Sequence, residues 1–63
     1  MMNDDWLEQH LNRKVILQKQ DGYAKYGFLK EYDANFVKIQ QFTGKIELIA
    51  RSVIVHYAEY KED

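Results

Sequence analysis

A chain of 63 residues with two histidines and no cysteine has room for one small domain and cannot form disulfides or thiolate metal sites. A domain of this size buries only about 60% of its unfolded surface, so we expect oligomerisation to support a marginal core. No run approaches the roughly 18 apolar residues of a membrane span, and no signal peptide opens the chain. These features predict a soluble, cytoplasmic protein without metal or cofactor.

The net charge of −1 conceals an uneven distribution. Residues 13–51 carry eight basic and four acidic side chains, whereas residues 1–12 and 59–63 are acidic on balance. A basic body with acidic ends can bind phosphate where its basic groups converge on one surface. A solvated surface of mixed charge gives the same composition, and both interpretations stay open.

The first predicted element is a helix over residues 5–12. Asp5 is the expected N-cap, and Glu8 three positions later has the spacing of a capping box. Four side chains at helical spacing form one apolar stripe: Trp6, Leu7, His10 and Leu11. Asn12 suits the left-handed conformation that ends a helix. Because two turns of helix do not persist alone in water, this helix must pack on the rest of the domain.

Beyond Lys14 the pattern becomes that of β-strands. Asp21-Gly22 predicts a hairpin, because glycine accepts the positive φ that a tight two-residue turn requires. Gly27 lies inside a strand, where it marks a sharp bend or a close approach of another backbone. Strands are expected over residues 15–20, 23–32, 34–42, 46–49 and 53–57. The short turns between them predict an antiparallel meander, and the bent strand predicts a small, strongly curved barrel.

Two segments, 15–17 and 53–55, are apolar on both faces, although a lone small sheet buries only one. Unprotected sheet edges invite pairing between chains. A closed ring, in which one subunit's edge strand pairs with the next subunit, would satisfy both demands.

Catalysis is not expected. The sequence has no nucleophile elbow, phosphate loop or zinc-ligand spacing. Asp33 has no acid, nucleophile or metal ligand near it in sequence, so we expect it to accept backbone hydrogen bonds at the strand bend. His10 is expected to be a packing residue, and His56 to be structural or to lie at a subunit contact.

The order of helix, Asp-Gly hairpin, bent strand with an internal glycine, and then Asp resembles the Sm-like superfamily, which includes Sm and LSm proteins and the bacterial Hfq type. The first motif of that family, Gly-x-hydrophobic followed by three positions and Asp, matches Gly-Phe-Leu-Lys-Glu-Tyr-Asp at residues 27–33. Gly22 also precedes Gly27 by the Hfq-type spacing of five.

The resemblance implies a mainly β fold, in which a short N-terminal helix precedes a strongly bent five-stranded antiparallel Sm-like (SH3-like) barrel. The helix would cover about residues 5–12 and the barrel about 14–58, in a single domain over residues 1–63 that ends in a short acidic tail. The resemblance also implies a homo-oligomeric ring of roughly five to seven subunits that binds single-stranded RNA.

The family's uridine pocket is altered in this chain. Where Sm proteins carry Met-Asn, the chain has Phe36 and Val37, and Val37 lacks the amide that reads uracil. The preceding position, a stacking aromatic or His in relatives, is Asn35. The second motif, Ile-Arg-Gly or Tyr-Lys-His in relatives, is Ile-Ala-Arg at residues 49–51. Arg51 can still supply stacking and charge near the pore.

The opposite face of Hfq-type rings holds adenines, and the resemblance aligns Gln18, Ala24 and the two tyrosines of the second strand with those positions. Two tyrosine rings with Lys25 between them would form a stacking platform, unless they pack across strands or against another subunit. Arg13 and Lys14 align with the basic rim of relatives and would attract RNA without reading it, or would be solvated charges. The candidate RNA-binding residues are Gln18, Tyr23, Lys25, Tyr26, Asn35, Arg51, Arg13 and Lys14.

The sequence therefore predicts a ring-forming, non-enzymatic Sm-like protein that binds RNA through charge and base stacking. One alternative is a structural or protein-interaction ring that no longer binds RNA, which Val37 and Ala50 favour. A second is a monomeric SH3-like or Tudor-like barrel that binds peptides, which the doubly apolar segment 53–55 disfavours.

Overall fold

The structure, a computed structural model, describes residues 2–61. Its elements are α1 (Asp4–Gln9), β1 (Lys14–Lys19), β2 (Ala24–Tyr32), β3 (Phe36–Gln40), β4 (Ile46–Ala50), the 3-10 helix η1 (Arg51–Val53) and β5 (Ile54–Glu59). The expected mainly β class with one short N-terminal helix and five antiparallel strands is confirmed. Glu62 and Asp63 of the predicted acidic tail lie outside the described residues.

All five strands form one antiparallel sheet in the order β4-β3-β2-β1-β5. The first four strands pair with their sequence neighbours, as the meander predicts, and β5 pairs with β1 instead of β4. The connection through η1 therefore carries the chain from one edge of the sheet to the other. As a result, β4 and β5 are the two edges of this curved sheet. Within residues 2–61, no helix has the length and apolar character needed to cross a membrane.

The core lies on the inner face of the curved sheet and is covered by α1. Alternate strand residues point inward, because successive side chains of a strand lie on opposite faces. The buried apolar side chains are Met2, Leu7, Val15, Leu17, Leu29, Val37, Ile39, Ile49 and Ile54. Leu7 is the buried residue that the six-residue helix contributes to this core.

The aromatic side chain of the helix, Trp6, lies between two other rings. Its indole stacks on His10 with the ring centroids 4.1 Å apart, and it meets Tyr57 of β5 edge-on at 4.6 Å. The His10 ring nitrogen Nδ1 also lies 2.8 Å from the Trp6 carbonyl oxygen. His10 is thus a half-buried packing residue of the helix face, as expected.

The helix begins one residue earlier than predicted, and its cap is Asn3 instead of Asp5. The Asn3 Oδ1 atom accepts hydrogen bonds from the backbone N–H groups of Asp5 and Trp6, at 2.7 and 3.4 Å. Asp5 then lies in the first turn, where a carboxylate suits the positive end of the helix dipole. The helix ends at Gln9, three residues before Asn12, which does adopt the left-handed conformation (φ 65°).

The β1–β2 hairpin has a three-residue loop and not the predicted two-residue turn. The Gly22 N–H donates to the Lys19 carbonyl at 3.0 Å, and the Lys19 N–H donates to the Tyr23 carbonyl at 2.8 Å. Gly22 (φ 92°) is therefore the last residue of a four-residue turn and has the left-handed conformation. The β3–β4 turn repeats this pattern with Gly44 (φ 96°), so the two hairpins have the same loop geometry.

Two strands have bounds that differ from those that the pattern predicts. The expected strand over 34–42 is confined to Phe36–Gln40, because the Asp33 side chain and the Gln41–Lys45 backbone bonds form turns on either side. The expected strand over 53–57 starts at Ile54, because residues 51–53 form η1.

At Gly27 the backbone of β2 lies close to the end of β3. An ideal Cβ atom at this position would lie 2.5 Å from the Gln40 carbonyl oxygen and 2.9 Å from its carbon. The close backbone approach that Gly27 predicts is therefore present. A shift in pairing register between Leu29 and Glu31 follows on the same strand, and such bulges increase the bend and twist of a sheet.

Replacing Gly27 by Ala would require the Gln40 backbone to move. We expect Gly27→Ala to lower the free energy of unfolding by about 1–3 kcal/mol, the usual cost of overpacking. Urea unfolding at a fixed protein concentration measures this difference. Gly22→Asn is the matched control, because Asn tolerates the left-handed conformation and no atom lies within 4 Å of a Cβ there. Equal losses in the two variants would contradict the packing explanation.

Candidate nucleic-acid interface

The candidate RNA-binding residues of β1 and β2 are divided between the two faces of the sheet. Tyr26 lies opposite Ile16, and Ala24 lies opposite Gln18, on the outer face that points away from the core. Lys25 has the opposite orientation, since it alternates with Tyr26, and its Nζ atom lies 3.5 Å from a carboxylate oxygen of Glu47. The three-residue platform predicted from the sequence is therefore split, with the cation on the other face.

The two tyrosines of the predicted platform have different environments. Tyr23 is 71% exposed at the hairpin, where its N–H donates to the Asp21 side chain at 3.0 Å. Tyr26 is 43% exposed and contacts Tyr60 edge-on, with the ring centroids 5.5 Å apart. Both rings present area to solvent, and Tyr26 is the one fixed by a neighbour.

A row of four aromatic rings extends from Tyr26 across the outer face. Tyr60 contacts Phe42 at 5.7 Å, and Phe42 contacts Phe28 at the same centroid distance. The Nζ atom of Lys14 lies 6.0 Å from the Phe28 ring and 5.9 Å from the Phe42 ring, within the range of a cation–π interaction. We call Tyr26, Tyr60, Phe42 and Phe28 the aromatic row.

Sequence reasoning identified only one member of this row. Phe28 could have been identified from the sequence, because it lies two positions after Tyr26 and so shares a strand face with it. Phe42 belongs to the β3–β4 turn and Tyr60 follows β5, so their positions depend on how the sheet curves. No local pattern in the sequence indicates that contact.

The remaining outer-face candidates are Gln18 and the two basic residues near the start of β1. Gln18 lies opposite His56 of β5, and together they line a cleft of about 290 Å³. Arg13 is exposed, and its guanidinium lies 3.5 Å from Glu59. Arg13 and Lys14 thus have different surroundings, an ion pair for the first and aromatic rings for the second.

Arg51 is buried, with 5% of its surface exposed, and it connects three separate parts of the chain. Its Nη1 atom donates to the Asp33 carbonyl at 2.6 Å, and Nη2 donates to the Met2 carbonyl at 2.8 Å and the Asp4 carboxylate at 2.6 Å. The guanidinium group is therefore enclosed by the N-terminal segment and the β2–β3 turn.

Asn35 lies in the β2–β3 turn beside Arg51. The Arg51 N–H donates to the Asn35 carbonyl at 2.8 Å, while the Asn35 side chain is exposed. Asp33 organises the same turn, because its Oδ1 atom accepts from the N–H groups of Asn35 and Phe36, both at 2.8 Å. These two hydrogen bonds, with the nearby charge of Arg51, hold the pKa of Asp33 below its usual value.

The structure thus brings Asn35 and Arg51 together on the side of the helix and places Gln18 and Tyr26 on the outer face. Val37 is a fully buried core residue. Among residues 2–61, no group of three His, Asp or Glu side chains is placed to hold a metal ion.

Comparisons with protein-family models and with curated protein sequences find no match. Among solved structures, the chain is similar to a crystal structure of the pleiotropic translational regulator Hfq, with a TM-score of 0.80 and 28% sequence identity. The similarity covers 86% of this chain and 92% of the Hfq chain. The chain therefore has the Sm-like fold of the Hfq type, and the resemblance seen in residues 27–33 is confirmed.

Removing the Arg51 guanidinium leaves the Met2 and Asp33 carbonyls without their charged donors. We expect Arg51→Met to lower the free energy of unfolding by about 2–4 kcal/mol, measured by urea unfolding. Asp4→Asn is the control, since the Asp4 side chain is 70% exposed and the amide oxygen of Asn can still accept a hydrogen bond from Arg51. A loss in Asp4→Asn as large as that in Arg51→Met would mean that the ion pair matters more than the carbonyl bonds.

Proposed function

We propose that the chain assembles into a homo-oligomeric ring of the Hfq type and binds single-stranded RNA through charge and base stacking, without catalysis. The observation that carries this proposal is the similarity to a translational regulator over most of both chains, at a TM-score of 0.80. The two free sheet edges and the exposed rings of the outer face support it.

The edges of the sheet favour assembly in a ring. Within residues 2–61, β4 and β5 each pair on one side only, so backbone donors and acceptors remain along both. Each edge also carries exposed apolar side chains, Ile46 and Leu48 on β4 and Val55 on β5. Pairing β4 of one subunit with β5 of the next would satisfy the backbone groups and bury these side chains. Because the two edges differ, the contact between subunits is head-to-tail. Such contacts close into a ring when the rotation from each subunit to the next divides a full turn into equal parts.

The mass in solution tests the ring. We expect a multiple of the 7.6 kDa chain mass by native mass spectrometry or light scattering. Leu48→Lys should shift the distribution towards single subunits, because a charge would lie in the proposed contact, while the fold persists since Leu48 is exposed. Gln9→Lys on the exposed helix surface is the control and should leave the mass unchanged. A wild-type protein of single-subunit mass would favour the peptide-binding barrel instead.

The proposed RNA contacts lie on two sides of the subunit. On the outer face, Tyr26 offers ring area for stacking and Gln18 offers an amide, while Tyr23 presents its exposed ring at the hairpin. Arg13 and Lys14 would supply attraction to phosphate that is independent of sequence. Lys25 would act at the rim of the sheet, where Glu47 offsets part of its charge.

On the helix side, we assign Asn35 the direct contact, because its side chain is exposed. Arg51 would act through it, since the Arg51 N–H holds the Asn35 carbonyl and the guanidinium group is enclosed. The amide that reads uracil in relatives is replaced here by the buried Val37, so we expect this side to contribute a hydrogen bond from the Asn35 amide and the outer face to contribute the stacking.

Fluorescence anisotropy with labelled oligo-A and oligo-U RNA, at low and moderate salt, tests the binding. We expect binding that weakens with salt, and a loss of at least about tenfold in affinity for Tyr23→Ala combined with Tyr26→Ala, because each stacked base contributes on the order of 1–3 kcal/mol. The matched double variant with Phe at both positions keeps the ring faces and should retain most of the affinity.

Two outcomes would overturn parts of this proposal. Full affinity in the double Ala variant would mean that the tyrosines do not hold RNA. The absence of binding to either RNA by the wild-type protein at low salt would overturn the RNA-binding function and favour the protein-interaction ring.

A further inference from the structure

We infer that a cleft beside α1 is a docking site for a protein segment that carries an arginine next to apolar side chains. The cleft lies between α1, the end of β2 and the start of β3, and has a volume of about 660 Å³. We call it the Phe36 cleft. The described residues that line it are all different from the aromatic row and from the candidate RNA-binding residues.

The floor of the Phe36 cleft is apolar and partly open to solvent. Phe36 is 46% exposed and Leu48 is 61% exposed, and the β3–β4 register places both on one face of the sheet. Leu11 and Tyr32, which are half-buried against the core, complete the floor. An apolar side chain of a partner that covers this floor would remove Phe36 and Leu48 from water, which favours binding.

Two carboxylates of the Phe36 cleft are held in place by neutral donors. The Tyr32 hydroxyl donates to Glu8 Oε2 at 2.7 Å, and two backbone N–H groups of the β2–β3 turn donate to Asp33 Oδ1 at 2.8 Å. A neutral donor orients a carboxylate without cancelling its charge. The hydrogen bond to Glu8 raises the pKa of Tyr32 above its usual value, and the charges of Glu8 and Asp4 act in the same direction. The cleft therefore has a negative potential near this hydroxyl.

The other charged groups of the Phe36 cleft are engaged with neighbours. Lys38 Nζ lies 2.9 Å from Glu31 Oε2, so these two charges offset each other. Lys30 Nζ donates to Asn12 Oδ1 at 3.1 Å. The lining is negative on balance, since it carries three carboxylates and two ammonium groups. Such a lining repels a phosphate backbone and attracts a cation.

The occupant that fits both the floor and the charge is an arginine-containing segment of another protein. A guanidinium group donates to carboxylates and also stacks on aromatic rings, and the cleft offers Glu8 and Asp33 beside Tyr32 and Phe36. Apolar side chains next to that arginine would cover Leu11 and Leu48. The volume lies within the range of ligand pockets, which suits a short segment better than a folded surface.

A pair of labelled peptides tests the chemistry of the occupant by fluorescence anisotropy. The probe is acetyl-Leu-Arg-Leu-Arg-Leu-amide, and its matched control has citrulline, which is neutral and similar in shape, in place of each arginine. We expect the wild-type protein to bind the arginine peptide at least about tenfold more tightly, because charge-assisted hydrogen bonds are lost in the control. Equal affinity for the two peptides, or no binding of either at about 1 mM peptide, would overturn the proposal.

Variants of the cleft locate the binding. Glu8→Gln keeps an acceptor for the Tyr32 hydroxyl but removes the charge, and we expect it to weaken the arginine peptide about fivefold. Asp5→Asn is the matched control, because it removes the same charge from the same helix outside the Phe36 cleft and should leave the affinity unchanged. Phe36→Ala should weaken binding about tenfold through loss of the ring. Equal effects of Glu8→Gln and Asp5→Asn would show non-specific attraction and overturn the site.

Two further measurements exclude the other occupants. Backbone NMR shifts on adding the arginine peptide should centre on Glu31, Phe36 and Lys38. If oligo-A or oligo-U RNA shifts these amides and the peptide does not, the Phe36 cleft is an RNA site and the proposal is wrong. If Phe36→Ala lowers the oligomer mass, the next subunit occupies the cleft, which also overturns it. RNA binding by the outer face is tested separately and is independent of these outcomes.

Discussion

The contact that shapes this protein is the passage of the Gln40 backbone over Gly27. Only a residue without a side chain allows this approach, since a Cβ atom would lie 2.5 Å from the Gln40 carbonyl oxygen. With β2 and β3 this close, a five-stranded sheet curves enough to enclose a core of nine buried apolar side chains under a helix of six residues. The same curvature brings the β3–β4 turn against the outer face of β2, where Phe42 meets Phe28 and Tyr60.

The two ends of the subunit are built differently, and this asymmetry bears on function. On the helix side, Arg51 joins the N-terminal segment to the β2–β3 turn through backbone and carboxylate oxygens. On the outer face, rings are held by other rings, with Lys14 beside them. The helix side is thus a polar turn held in place by Arg51, whereas the outer face presents aromatic rings that can stack on bases. For this reason most of the proposed RNA contacts lie on the outer face.

Much of the fold could be predicted from the sequence, because its signals are local. The spacing of Gly27 and Asp33, the change from helical to strand periodicity and the glycines of the two hairpin turns each constrain a few consecutive residues. The errors have a common cause in tertiary structure. Asn3 and Asp5 both have capping chemistry, and the choice of Asn3 accompanies the burial of Met2 and the bond from Arg51 to Asp4.

The candidate site was harder to predict from the sequence than the fold, for the same reason. Arginine is a residue type that contacts nucleic acids, which made Arg51 a candidate from the sequence. Its enclosure depends on a segment 47 residues away in the chain, and no local pattern shows it. The aromatic row likewise joins Tyr26, Phe42 and Tyr60 from a strand, a turn and the end of the chain. Such contacts exist only once the sheet has curved.

The stacking of Trp6 between His10 and Tyr57 gives the molecule an intrinsic optical reporter. Trp6 is the sole tryptophan of the chain, so excitation at its absorption edge samples one known place, the seam between α1 and β5. Indole emission is sensitive to a neighbouring imidazole and to water. Its wavelength and intensity would therefore follow the undocking of the helix separately from events among the tyrosine and phenylalanine rings of the outer face.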